Sequence, residues 1–365
     1  MKPPLGVVFN GKFLSAEPTG VHRVALELIK AVLDRTSRDA ALDARLRPQL
    51  WVPADGEAGA RREGLPHTVI GPLVGIPWEQ LTLPYLARGH LLVNLCNVGP
   101  MLASQAVTMM HDAQVRLTPA SYGPGFRAWY RLHQPVAGRR HRRILTVSAY
   151  SREQLAHFGI APLDHIGVVH NGVDHLPTHR VDDQILARLQ LQPQRYVVAL
   201  ANTQAHKNIQ VLFHAFADGA LPGLKLVLFG AADRQAFAAK GITAPPDVCF
   251  AGRLSDAALN SLYRQALCMA FPSRTEGFGL PPLEAMAQGC PAVVAPCGAL
   301  PEVCGDAACY AGPDDAAAWR TQIARLQSEP AWRAQCVAAG QQQASRFTWA
   351  RAGEVLIQEL LALVP

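Results

Sequence analysis

"LCMAFPSRTEGFGLPPLEAMAQGCPAVVA", residues 267–295, begins and ends in short apolar runs and holds between them a glycine turn, a proline pair and a helix-like stretch. A continuous apolar strand, a turn, and a helix leading back to a second apolar strand is the repeating unit of a parallel sheet covered on both faces. Pro281 suits the first turn of that helix, where its missing N–H has no helical partner anyway. Glu276 and Gly277 then lie in the loop and Glu284 early in the helix.

The same alternation extends outward. From residue 195, "YVVAL", "LKLVLFG", "LCMAF" and "PAVVA" read as strands, and "IQVLFHAFA", "AALNSLYRQA", "PPLEAMAQG" and "AAAWRTQIARL" as helices. The first half repeats the style with "LGVVF", "PQLWV", "LLVN", "AVTMM", "ILTVSAY" and "IGVV", and with a helical "GVHRVALELIKAVL". An α/β chain of two doubly wound domains follows, a division that 365 residues also favour. The polar stretch "HIGVVHNGVDHLPTHRVDDQ" separates them, giving domains at 1–178 and 179–345 and a helical segment at 346–365. Ligands of open parallel sheets bind outside the carboxyl ends of the strands, so two such domains facing each other would line a cleft with loops.

Composition narrows the function classes. The 49% hydrophobic and 17% charged residues fit globular cores. A net charge of +6 and a pI near 9.0 favour anionic partners. The densest basic run is "RRHRR", 139–143, which fits a solvated helix face or contact with an anionic membrane; no interleaved aromatics or zinc spacing support nucleic acid. Eight cysteines without a C-x-x-C pair read as buried free thiols of a reducing cytosol. The N-terminal apolar run is broken by Asn10 and Lys12, too short for a secretory signal. The uncharged run 90–110 is interrupted by Asn94, Asn97, Gly99 and Pro100 and reads as two buried strands and a loop. A cytoplasmic chain is expected, with peripheral contact at the inner membrane face.

The chemistry sits in the loop after "LCMAF". Backbone N–H groups across Gly277, Phe278, Gly279 and Leu280 can face an anion at the helix N-terminus, a diphosphate being the obvious candidate. Ionised carboxylates only accept hydrogen bonds, so Glu276 and Glu284 beside that anion suit the vicinal hydroxyls of a nucleoside diphosphate sugar. A plain loop acid and an acid complementing the helix dipole satisfy the same spacing. The acid pairs at 182 and 314 fall in connectors and read as solvated rather than metal-binding.

Glu276 and Glu284, with seven residues between them in "PSRTEGFGLPPLEAMAQGCPAVV", closely resemble the E-x7-E signature of retaining glycosyltransferase family 4. The resemblance continues through "GALPEVCGDAACYAGPDD" and, more loosely, through "GVHRVALELIKAVL", "MMHDAQ", "TVSAYSREQL", "VVHNGVD", "AHKN", "FAGRLSDAAL" and "RFTWARA". It implies a GT-B fold of two Rossmann-like domains, the C-terminal helix packing back on the first. It also implies metal-independent transfer, without a cofactor, with retained anomeric configuration, the donor mainly on the second domain and the acceptor on the first.

Residue by residue, the resemblance gives Glu276 the sugar hydroxyls and the developing positive charge, Glu284 the ribose diol, and Lys207 of "AHKN" the diphosphate. It adds His111 at the donor sugar and Gly20, Asn202, Arg253 and Ser273 to the donor site. Read alone, Gly20 is equally a turn glycine, His111 equally a structural hydrogen-bonder, and Lys207 an ordinary solvated lysine. Asp112 either orients His111 or receives an acceptor proton, and Asn171-Gly172 reads as a type I′ turn. Asn202 stands where relatives often carry arginine, leaving His206, Arg274 and Arg253 as replacements for the charge. The wording of "EGFGLPPLEAMA" is most similar to bacterial surface-polysaccharide enzymes that transfer mannose and other hexoses to saccharide or lipid-linked saccharide acceptors, with GDP-mannose the lead donor. A sugar-nucleotide epimerase of the same fold and a degenerate nucleotide-sugar-binding subunit are the alternatives.

Overall fold

A computed structural model of the chain describes residues 6–176, 182 and 184–364. Its strands form two sheets, and the chain divides into two units, one running to Gly172 and resuming at Thr348, the other Val173–Phe347. The boundary expected at 178/179 lies outside the described residues.

Unit one holds β1 (Val7–Asn10), β2 (Gln49–Val52), β3 (Thr68–Val69), β4 (Leu91–Asn94), β5 (Ala106–Met109), β6 (Arg143–Thr146) and β7 (Ile166–Val168). They pair in parallel in the order β3-β2-β1-β4-β5-β6-β7, so the winding reverses between β1 and β4. β1, β4 and β5 are buried throughout, which is why each reads as an unbroken apolar run. Residues 90–110 accordingly supply two core strands and a loop, and no helix among the described residues is long and apolar enough to cross a membrane.

The helix Gly20–Ser37 starts at Thr19, whose side chain accepts from the His22 N–H, and buries Val24, Ala25, Leu28, Ile29 and Val32 at helical spacing. The C-terminal helix, Trp349–Leu361, packs on it as anticipated. Gly353 lies so close that a Cβ there would stand 2.7 Å from the Ala31 Cβ. Arg35 Nε reaches Glu354 at 2.6 Å, and Arg143 clamps Glu359 at 2.8 and 3.1 Å.

Two readings of the sequence are corrected here. The run 139–143 is not one solvated face. His141 is buried between the Thr108 hydroxyl at 2.8 Å and the Pro100 carbonyl at 3.1 Å, and Arg143 is spent on Glu359. Asn171-Gly172 is not a type I′ turn, since neither residue has the positive φ such a turn requires. Gly172 is glycine for another reason: a Cβ would stand 2.2 Å from the Trp349 amide nitrogen.

Unit two holds β8 (Tyr196–Leu200), β9 (Lys225–Phe229), β10 (Cys249–Gly252), β11 (Cys268–Phe271), β12 (Ala292–Val294) and β13 (Cys309–Tyr310). The order is β10-β9-β8-β11-β12-β13, again all parallel, with the reversal between β8 and β11. Val197, Leu228, Ala270 and Val293 from four strands close on Trp319 and Ile323 of the helix Ala316–Ser328. The eight cysteines are free thiols.

Candidate active site

In unit two the strands on either side of the reversal send their following loops to opposite faces of the sheet, which opens a crevice at their carboxyl ends. β8 leads to a single turn, Ala205–Lys207, and β11 leads to the loop that carries Glu276. The two loops meet: Lys207 Nζ donates to both Glu276 carboxylate oxygens, at 2.7 and 3.0 Å, with the side chains 16% and 10% exposed. Glu276 is held by its main chain. The Ala299 N–H donates to the Glu276 carbonyl at 3.0 Å, and at Gly298 (φ +62°) a Cβ would stand 2.5 Å from the Glu276 nitrogen.

The turn before the helix Leu280–Ala287 is built for close approach. Gly279 has φ +108°, and a Cβ there would meet Leu300 Cδ2 at 2.6 Å. Phe278 is buried with its ring edge-on to Phe347, centroids 5.7 Å apart, so its side chain serves packing; Gly277 is buried and Leu280 half-buried. Ser273 is buried, and its hydroxyl has no hydrogen-bond partner among the described residues, an orphan in the same loop. Glu284 projects from the second turn of the helix, its carboxylate 3.2 Å from His175 Nε2. The His175 side chain is only 4% exposed. Neither His175 nor Gly298 was singled out in the sequence, because each acts through a residue far along the chain, and only "VVHNGVD" and "GALPE" hinted at their surroundings.

The three candidates for the missing charge separate. His206 is buried, and desolvation with the neighbouring Lys207 charge lowers its pKa to about 4, so it is neutral at pH 7. Arg274 is engaged by Asp314, which accepts from both guanidinium Nη atoms, and by the Asn208 carboxamide oxygen at 3.3 Å. That bond raises the Arg274 pKa and lowers that of Asp314, which stays solvent-exposed in its connector while pairing with the arginine. Its neighbour Asp315 caps the helix Ala316–Ser328 by accepting from the Ala318 N–H at 2.9 Å. Asn202 folds onto its own loop, its side-chain oxygen accepting from the Gln204 N–H at 2.8 Å. Arg253 is exposed, just past β10.

In unit one, Gly20 opens its helix at the loop after β1, and a Cβ there would meet nothing within 4 Å. Packing therefore gives no reason for glycine at that position. His111 follows β5 and is buried; Nε2 donates to the Leu95 carbonyl at 2.8 Å, and desolvation lowers its pKa to about 4 despite that bond. The Asp112 carboxylate accepts from the Gln114 N–H at 2.9 Å, capping a short turn of helix. Among the described residues, no three of His, Cys, Asp and Glu stand together as a metal site.

Comparison with known proteins gives the family and the fold. Residues 182–343 match the family model described as "Glycosyl transferases group 1". The chain is 31% identical over 266 residues to O-antigen chain mannosyltransferase B of Escherichia coli, covering 68% of each chain. It is 26% identical over 238 residues to O-antigen chain mannosyltransferase RfbU of Salmonella typhimurium, covering 63% of each. Among solved structures, Anabaena Alr3699/HepE in complex with UDP and glucose superposes with TM-score 0.74 over 98% of this chain and 100% of that one, at 19% identity. A likeness at that identity carries the fold, two Rossmann-like units of the GT-B kind. The chain belongs to the group 1 glycosyltransferases.

Proposed function

We propose that the chain is a retaining, metal-independent hexosyltransferase. It moves mannose, with GDP-mannose as lead donor, to a saccharide or lipid-linked saccharide acceptor in bacterial surface polysaccharide assembly. The observation that carries this reading is the meeting of Lys207 and Glu276 at the strand reversal of unit two, with Glu284 one helix turn beyond. The two O-antigen mannosyltransferases to which the chain is similar support the choice of sugar.

The chemistry breaks the bond between the anomeric carbon and the diphosphate oxygen and forms one to an acceptor hydroxyl, whose proton passes to the departing diphosphate. Negative charge grows on the departing diphosphate, and Lys207 with the N–H groups of the 277–280 turn is placed to receive it. Positive charge grows on the sugar ring, and the Glu276 carboxylate stabilises it while accepting from sugar hydroxyls. Lys207 and Glu276 pair with each other at 2.7 and 3.0 Å, and a donor that is anionic at its diphosphate and cationic at its reacting sugar offers each of them an interaction of matching sign. Glu284 takes the ribose diol, and His175 holds its carboxylate in place. The Ser273 hydroxyl gains a partner in a donor oxygen.

The test is turnover with GDP-, UDP- and dTDP-linked sugars and candidate acceptors, reading nucleoside diphosphate release and the anomeric configuration of the product by NMR. Transfer from GDP-mannose with retention is the expected result. Epimerised sugar without an acceptor, or nucleotide binding without turnover, would replace this reading by one of its alternatives.

A further inference from the structure

Unit one has a strand reversal of its own, between β1 and β4, and open parallel sheets take ligands at the carboxyl ends of such strands. A lysine and a glutamate meet there too. Lys12, two residues past the end of β1, donates from Nζ to Glu79 Oε2 at 2.7 Å, with the side chains 25% and 4% exposed. Among the described residues no second acceptor takes the other two ammonium protons of Lys12.

Glu79 is fixed from two sides. It lies in Trp78–Thr82, a π-helical turn, a rare form of helix that recurs at functional sites. Trp78 Nε1 donates to the Ile70 carbonyl at 2.8 Å, and Gln80 bonds the Gly99 carbonyl and the Met101 N–H, both at 2.9 Å. From the sheet, Asn10 at the end of β1 donates to Glu79 Oε1 and to Asn94 Oδ1, both at 3.0 Å. Asn94, at the end of β4, donates in turn to the Thr108 hydroxyl of β5 at 3.0 Å. Buried carboxamides thus hold the carboxylate, and the carboxylate holds the ammonium. A buried ion pair adds little net stability over apolar side chains of the same volume, so packing alone is a weak reason to keep one here.

Three neighbouring titratable groups carry no charge at neutral pH. Burial pushes the Cys96 thiol and the Tyr130 phenol up, with nearby negative charge adding to both, and burial lowers the His133 imidazole. The surroundings differ in kind from those of Lys207. There, the N–H groups of the 277–280 turn stand beside the lysine and suit a diphosphate, whereas Lys12 has carboxamides, a thiol and a phenol about it. A lone lysine attracts anions; one whose charge a buried carboxylate balances still donates hydrogen bonds but has lost that attraction.

We propose that the Lys12–Glu79 pair is a specificity determinant for an uncharged saccharide. Lys12 donates to a sugar hydroxyl, and Glu79 cancels the pull that a lone lysine would exert on an acidic or phosphorylated sugar. Asn10 and Asn94 act as positioning residues, since they hold the carboxylate and not the sugar. The inference rests on the transferase reading only for the identity of this sugar as the acceptor.

The test titrates mannose and mannuronate, which differ by one carboxylate, onto the full chain without donor, read by saturation-transfer NMR. Wild type should prefer mannose. Glu79→Gln leaves the ammonium unbalanced and should shift the ratio of the two affinities towards mannuronate by about tenfold or more. Lys12→Met should weaken mannose binding about tenfold. It also strands a buried carboxylate, so Lys12→Met with Glu79→Gln serves if the single variant does not fold. That double variant should lose the same mannose affinity without gaining mannuronate. A role in stability alone would leave the ratio of affinities where it is. Wild type that prefers mannuronate or binds neither sugar overturns the proposal, as do folded variants with wild-type affinities for both. Turnover of GDP-mannose is measured separately. A chain that binds mannose selectively through Lys12 but transfers nothing loses the transferase reading and keeps this one, so the two failures are distinguishable.

Discussion

Lys207 holds both carboxylate oxygens of Glu276, and the two residues come from loops on opposite sides of the strand reversal. Under the proposed transferase reading, these two groups serve a donor that carries both signs of charge in the transition state. Glu276→Ala and Lys207→Ala should each lower kcat by about 10²-fold or more, as loss of other transition-state charge contacts does. The double variant should be less than multiplicative, because each change also strands the other's charge. Steady-state kinetics on all four proteins measures the coupling, and strict additivity would separate the pair from the chemistry.

Glu284 fails differently from Glu276. A ribose contact is made in the ground state and the transition state alike, so Glu284→Ala should raise the donor KM and leave kcat nearly unchanged. His175→Ala, which removes only the partner 3.2 Å from that carboxylate, should raise the same KM by a smaller factor. A fall in kcat with KM constant in either variant would contradict the assignment.

Gly298 tests whether the Glu276 backbone must stay where it is. Gly298→Ala adds a Cβ 2.5 Å from the Glu276 nitrogen at φ +62°, and should cost roughly 2 kcal/mol or more of stability and reduce kcat. Gly64→Ala has a similar φ of +66° but open space around the new Cβ, so it should cost only about 1 kcal/mol and leave turnover intact. Thermal melts and kinetics on the two variants separate strain from displacement.

The Asp315 side chain caps the helix Ala316–Ser328, accepting from the Ala318 N–H at 2.9 Å. Asp315→Ala should lose about 1 kcal/mol of stability through the missing cap while kcat and KM stay near wild type. A large kinetic effect would bring the 312–315 loop into the donor site.

Burial lowers the pKa of both His111 and His141 to about 4. Each is neutral in the fold and has a pKa near 6.5 when unfolded, so its contribution is fully present above about pH 6.5 and is lost as pH falls toward 4. The loss amounts to at most about 3 kcal/mol per histidine. Urea unfolding at pH 7 and at about pH 4.5 should show this fall, and His141→Gln should flatten it. An unchanged pH slope in the variant would assign the acid sensitivity to other groups.

The central strands were legible because burial on both faces turns them into unbroken apolar runs, as in "YVVAL" and "AVTMM". The edge strands were not. β3 is two exposed residues and β10 is half-exposed with a register break at Gly252, so neither leaves a periodic signal. The helix starts at Thr19 and Leu280 could be read locally, since caps, prolines and glycines act on neighbouring residues.

The sequence by itself determined the two α/β units, the glycine turn before the Leu280 helix, and the identity of the two acids as ligand-facing candidates, because propensity, periodicity and capping act over a few residues. Only the tertiary structure decided which groups are charged and what holds them. Lys207 meets Glu276 because the sheet brings β8 beside β11; His206 is neutral because packing removes its water; Arg274 is spent on Asp314, and Glu284 leans on His175. Desolvation and ion pairing depend on distances in space, and residues far apart in the chain acquire those distances only when the sheet closes around its core.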